Sequence, residues 1–155
     1  MSTYTVDANI NNGNLTQNEV HLYGSSRLGI DEINRDVQKI GKADYLNKLN
    51  TFVVGNVRYE LMEHLGNVLV TVSDKKIGVD ENADGIIDYY TADVVSATDY
   101  APFGMGLVGR KFGTQGRFGF NGQMKDHDID ANGDHYTALY WEYSGETGRR
   151  WNLGS

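Results

Sequence analysis

Turn dipeptides constrain this chain more than any other feature. Gly66-Asn67, Asp84-Gly85, Asn121-Gly122 and Asn132-Gly133 lie beside runs of β-branched and aromatic residues. Glycine and asparagine enter left-handed backbone conformations at little cost, so such pairs reverse the chain between short strands. Glycine occurs 19 times, proline once, and ten tyrosines lead the aromatics. That balance suits short strands and tight turns. The expected fold class is mainly β, a curved antiparallel meandering sheet, with a short helix in an insertion at 31–50.

Individual strands can be placed by alternation. Glu19-Val20-His21-Leu22-Tyr23 alternates and stops at Gly24. Phe52-Val53-Val54 and Val57-Arg58-Tyr59-Glu60-Leu61 flank Gly55-Asn56 and predict a hairpin. Asn67 to Val72 is the strongest strand, and Ile87 to Val95, Phe118 to Phe120 and Ala138 to Tyr143 follow. Ile33, Val37 and Ile40 have helical spacing, with Asp31 as a cap and Gly41 as a stop. The organisation expected is a polar, Asn-rich segment at 1–18 and one β domain at 19–155, interrupted at 31–50.

A chain of 155 residues has the length of one domain and enough of it to bury a substantial core. Its net charge of −7 argues against nucleic-acid and anionic-membrane partners, which call for surplus Lys and Arg. There is no cysteine, so neither a disulfide nor a thiolate metal site can form. No apolar run approaches 18 residues, so no membrane span is expected. Met1 to Asp7 has no basic region and no apolar stretch, which leads us to expect a fragment of a longer polypeptide.

Asp80, Asn82, Asp84 and Asp88 place side-chain oxygens at positions 1, 3, 5 and 9 of a loop, with Gly85 at position 6. The backbone oxygen of Ile86 would add a ligand at position 7. This is the front of an EF-hand-type loop, and calcium, a hard cation, takes six to eight such oxygens. Thr91 stands where the closing glutamate belongs, and Asp93 lies nearby. The same residues also make an Asx-rich hairpin turn without any metal. Asp128, Asp130, Asn132 and Gly133 repeat half of the pattern, and His127 and His135 lack a third nitrogen ligand.

Other motifs are weaker. Gly104-Met105-Gly106-Leu107-Val108-Gly109 has no following helix and is not a dinucleotide site. Gly24-Ser25-Ser26 is a turn and not a nucleophile elbow. His64 has no nucleophile or carboxylate at motif spacing, and a structural role near a strand end is expected. The aromatics from Tyr89 to Trp151 suit cross-strand packing better than a sugar-stacking platform.

Three segments, Tyr59 to Val68, Asp99 to Met105 and Arg117 to Gln123, resemble in this order the RHS repeat-associated core region of RHS/YD-repeat proteins. The resemblance covers roughly 20–30 and 52–153. It implies a segment of a β-sheet shell that encloses a toxin or presents a cargo, in a secreted or cell-surface protein. Partners implied are the rest of a longer parent chain or another sheet edge, with a toxin cargo or cell-surface target. Many members cut their own tail with two aspartates. Here Ser144 and Gly145 stand where the first Asp-Pro belongs, and Gly154 and Ser155 where the second belongs, so no self-cleavage and no other enzyme activity is expected. The tail is expected to fold back, anchored by Trp141 and Trp151. The rival reading is a calcium-stabilised extracellular module that binds glycan or protein.

Overall fold

The computed structural model describes residues 1–40, 42, 52–113, 116–138 and 141–152. Among them the chain is mainly β. A seven-stranded antiparallel meander runs in sequence order: β1 (Ser2–Thr5), β2 (Thr16–Tyr23), β3 (Arg27–Asp36), β4 (Val57–Met62), β5 (Val68–Val79), β6 (Tyr89–Tyr100) and β7 (Gly106–Phe112). A second sheet has the order β11-β10-β9-β8, built from β8 (Met124–Lys125), β9 (His135–Ala138), β10 (Trp141–Ser144) and β11 (Arg149–Asn152). No described helix is long and apolar enough to cross a membrane.

The residues gather into two compact units. One comprises 1–59 and 73–93, the other 60–72 and 94–155. In the first unit β1, β2 and β3 form successive hairpins, with Thr3 opposite Glu19 and His21 opposite Ile30. The boundary expected at residue 18 therefore falls inside β2, and the polar N-terminal segment supplies β1. Asn11 and Asn12, both at φ 52°, turn the chain between β1 and β2. Gly29 pairs with Tyr59, and a β-carbon there would lie 2.1 Å from the Arg58 carbonyl oxygen. Only glycine lets β3 and β4 approach this closely. Arg58 and Glu32 form an ion pair at 3.2 Å across the same junction.

Four local expectations need correction. Ile33 lies in β3, and the short helix of the insertion is, among its described residues, one 3₁₀ turn at Val37–Lys39, where Asp36 Oδ1 accepts from Gln38 N at 3.0 Å. β-Branched residues at helical spacing also satisfy a strand, and pairing with β2 decides. Gly41 and the rest of the insertion lie outside the described residues, Lys42 apart. Phe52 to Leu61 makes no hairpin: Val54 and Gly55 turn, and β4 pairs with β3 instead. Phe118 to Phe120 contributes only an isolated bridge to Met124 before a 3₁₀ turn at Phe120–Gly122. Ala138 and Trp141 belong to two antiparallel strands and not one, because Trp141 pairs back onto Ala138.

The core is thinner than the length suggests. Among the described residues the buried apolar side chains are Ile30, Val57, Val68, Phe118 and Tyr136, fewer than the buried polar ones. Buried polar groups must be hydrogen-bonded, so turn and side-chain bonds carry much of the specification here.

Candidate functional site

In the second unit the three segments that carry the resemblance, Tyr59 apart, meet. The turn after β4 closes through Glu63 N donating to Asn67 O at 3.0 Å, with Gly66 at φ 86°. Asn67 is buried, and its side chain serves two turns. Its Nδ2 donates to Glu63 Oε1, and its Oδ1 accepts from Asn121 N at 2.8 Å. The next residue adds two bonds: Val68 N donates to Gly119 O at 3.1 Å, and Val68 O accepts from the Tyr100 hydroxyl at 2.9 Å.

The segment after β6 forms the second turn. Ala101 N donates to Met105 O at 2.8 Å, and Gly104 sits at φ 86° with its backbone against Phe120. A β-carbon on Gly104 would lie 2.4 Å from Phe120 Cγ. The third turn, Gly119–Gln123, holds the Phe120 ring among three tyrosines. Tyr143 stacks on it at 6.0 Å between ring centroids, and Tyr100 and Tyr136 each tilt against it at 6.2 Å. Offset and tilted ring pairs of this kind stabilise beyond their buried area.

The C-terminal hairpin locks onto the same place. The Tyr136 hydroxyl donates to Gly104 O and the Tyr143 hydroxyl to Phe103 O, both at 2.8 Å. Burial pushes the Tyr100 and Tyr136 phenols well above the usual tyrosine range, so both remain donors. Gly145 N donates to Asp134 O at 2.8 Å. A β-carbon on Gly145 would meet the Gly104 carbonyl carbon and the Met105 nitrogen at 2.8 Å. The Pro of an Asp-Pro pair would collide there with backbone that cannot swing aside.

Ser144 is buried, and its Oγ accepts from Thr147 N at 3.3 Å. Gly154 and Ser155 lie outside the described residues. Trp141 is covered by the Arg150 guanidinium at 4.3 Å, while Trp151 packs edge-on against His135 at 5.3 Å and stays half exposed. His64 is exposed in the β4–β5 turn.

An open groove of about 650 Å³ runs beside this cluster, lined by Glu63, Leu65, Asn67, Tyr100, Pro102 and Arg110 among others. Arg110 pairs with Asp99 at 3.3 Å at its exposed rim. The polar groups at the cluster's centre are engaged with neighbouring turns. The chemistry they support is holding three reversals and a tail in register.

The acidic hairpin loop between β5 and β6 belongs to the first unit. Asp80 Oδ1 accepts from Asp84 N at 3.2 Å and its Oδ2 from Gly85 N at 2.7 Å. Asn82 Oδ1 accepts from Asp84 N, Asp84 Oδ1 from Ile86 N, and Asp88 Oδ2 from Glu81 N. Ala83 at φ 58° and Gly85 at φ 86° make the bend. Residues 81–90 are exposed, and the Tyr89 hydroxyl donates to Glu81 Oε1 at 2.9 Å. The five expected calcium ligands thus share one loop, with the four side chains turned partly to its own amides. Among the described residues no three His, Asp or Glu side chains gather as a metal cluster. Each carboxylate still keeps lone pairs beyond these bonds.

The second acidic loop behaves similarly. Asp126 accepts from Asp128 N and Ile129 N, and Asp130 from Asn132 N and Asp134 N. Asp134 accepts from Gly106 N at 2.8 Å and pairs with Lys111 at 2.9 Å. Sequence reasoning missed the Asn67 and Gly145 contacts, because their partners lie tens of residues away. The signal that could have found them is the shared turn residue type in all three segments. No family model, curated protein or solved structure matches this chain.

Proposed function

We propose that this chain is a structural β-wall segment of a secreted or cell-surface RHS-type protein, which encloses or presents a cargo such as a toxin and does not cleave itself. The observation that carries the reading is the meeting of the three resembling segments around Phe120, Asn67 and Gly104. Segments that resemble one family in order, and then bond to one another, favour a shared structural purpose over three unrelated turns. The sequential meander supports it further. Among the described residues its outer strands β1 and β7 each have one strand neighbour in the sheet, and an unpaired strand edge accepts more sheet, from a parent chain or another protein. Ser144 and the close contact of Gly145 speak against an aspartyl pair at this point.

The test is an immunoblot of the native cells and medium with an antibody raised to this chain. The wall reading expects a polypeptide far larger than 17.3 kDa, in the medium or accessible to protease on intact cells. A free-standing 17.3 kDa protein confined inside the cell would end it.

A second reading, a calcium-stabilised extracellular module that binds glycan or protein, is favoured by one observation. The loop winds around Asp80, whose two oxygens draw in the amides of Asp84 and Gly85. Calcium titration followed by melting temperature tests it, since a cation bound by the folded state must raise the midpoint.

A further inference from the structure

The second unit holds a small polar cavity that the cluster around Phe120 does not use. Its volume is about 250 Å³, and Thr98, Lys111, Gly113, Lys125, His127 and Asn132 line it. That is below the range of roughly 300–1,000 Å³ typical of drug-sized ligands. Lys125 leaves β8 half buried. Its stem runs past two glycines: a β-carbon on Gly119 would lie 2.8 Å from Lys125 Cε, and one on Gly133 would lie 3.3 Å from Lys125 Cδ. Side chains at either position would push the amine out of place.

Among the described residues the Lys125 Nζ makes no ion pair or hydrogen bond. Burial, reinforced by the Lys111 ammonium, holds the Lys125 amine below the usual lysine range, and Asp134 only partly offsets this. Lys111 is better served. Its Nζ sits 2.9 Å from both oxygens of Asp134 and 3.2 Å from Asn132 O. The oxygens of Asp130 face the amides of Asn132 and Asp134, and Asp126 caps Asp128 and Ile129. A half-buried ammonium with no hydrogen-bonded or ion-paired partner is costly, and an anion within reach of two ammonium groups relieves that cost.

We propose that this cavity binds a small oxyanion, a carboxylate or an inorganic phosphate, between Lys125 and Lys111, with His127 as a further donor. The cavity's chemistry is independent of the wall reading.

The full chain is titrated with sodium phosphate and, separately, sodium acetate, at ionic strength fixed by sodium chloride. Melting temperature and the NMR shift of the Lys125 ε-methylene are followed up to about 50 mM anion. Lys125→Met keeps the stem and removes the charge, and exposed Lys76→Met is the control. The proposal expects a saturable rise in the wild-type midpoint, retained in Lys76→Met and lost in Lys125→Met. Response to acetate alone assigns a carboxylate ligand, and response to phosphate alone assigns phosphate. Equal rises in wild type and Lys125→Met, or no rise with either anion, overturn it. Should Lys125→Met fail to fold, the wild-type NMR titration decides. A saturating shift of the Lys125 signal supports the site, and an unchanged or linearly drifting signal refutes it.

Discussion

The acidic hairpin loop and the cluster around Phe120 both turn on Asn and Gly and work in opposite ways. In the loop, Asp80, Asn82, Asp84 and Asp88 bond to groups two to seven residues away, and all of residues 81–90 are exposed. In the cluster, Asn67 reaches Asn121 across 54 residues, and Tyr136 reaches Gly104 across 32. A local turn is specified by its own few residues and loses little when one of them changes. A shared turn is specified by distant partners, so each residue there leaves a buried group unpaired when it is lost.

The sharpest way to break the contrast is Gly104→Ala. Left-handed strain and the clash with the Phe120 ring should together cost about 2–5 kcal/mol, read from the urea midpoint. Asn67→Ala comes next. It removes the bond to Asn121 N and the bond to Glu63, at about 1–3 kcal/mol. Tyr136→Phe should cost about 1–2 kcal/mol, because it leaves the Gly104 oxygen without its hydroxyl donor.

The same tyrosine gives a pH test. Its folded-state pKa is raised by burial above the unfolded value of about 10. The contribution is therefore fully present below about pH 10 and is lost as pH rises above it, since the unfolded chain releases the proton first. Wild type should lose stability above pH 10 more steeply than Tyr136→Phe does, as followed by chemical denaturation across that window. The smallest effect belongs to the loop. Asp80→Ala, which frees two exposed amides, should cost about 0.5–1 kcal/mol. Under the calcium reading it should also abolish any calcium-dependent rise of the midpoint. A rise that survives in Asp80→Ala would place the cation elsewhere.

The meander was legible wherever alternation and turn signals agreed. β2, β5 and β6 follow from Glu19 to Tyr23, Asn67 to Val72 and Ile87 to Val95, with the last two extended along the chain. The turns at Asn11 to Asn14 and at Gly66-Asn67 follow from their residue types. The pairing of Trp141 back onto Ala138 was not legible, because an apolar run without Gly, Asn or Pro carries no signal for a second strand. The hairpin predicted at Gly55-Asn56 failed for a tertiary reason. Gly55 N donates to Asp74 Oδ1 at 2.6 Å, and Val57 pairs with Asp31. The acidic loop could be read residue by residue because its bonds are local. The cluster could be reached only through the resemblance of three segments, since neither Asn67 nor Gly145 announces its distant partner.

The most direct measurement of the central claim is amide hydrogen exchange by NMR on wild type and Phe120→Ala. If the three turns form one cooperative unit around that ring, the amides of Val68, Gly104 and Asn121 should lose protection together, by about tenfold or more, while Asp84 and Gly85 keep theirs. Loss confined to Asn121, with Val68 and Gly104 unchanged, would contradict it.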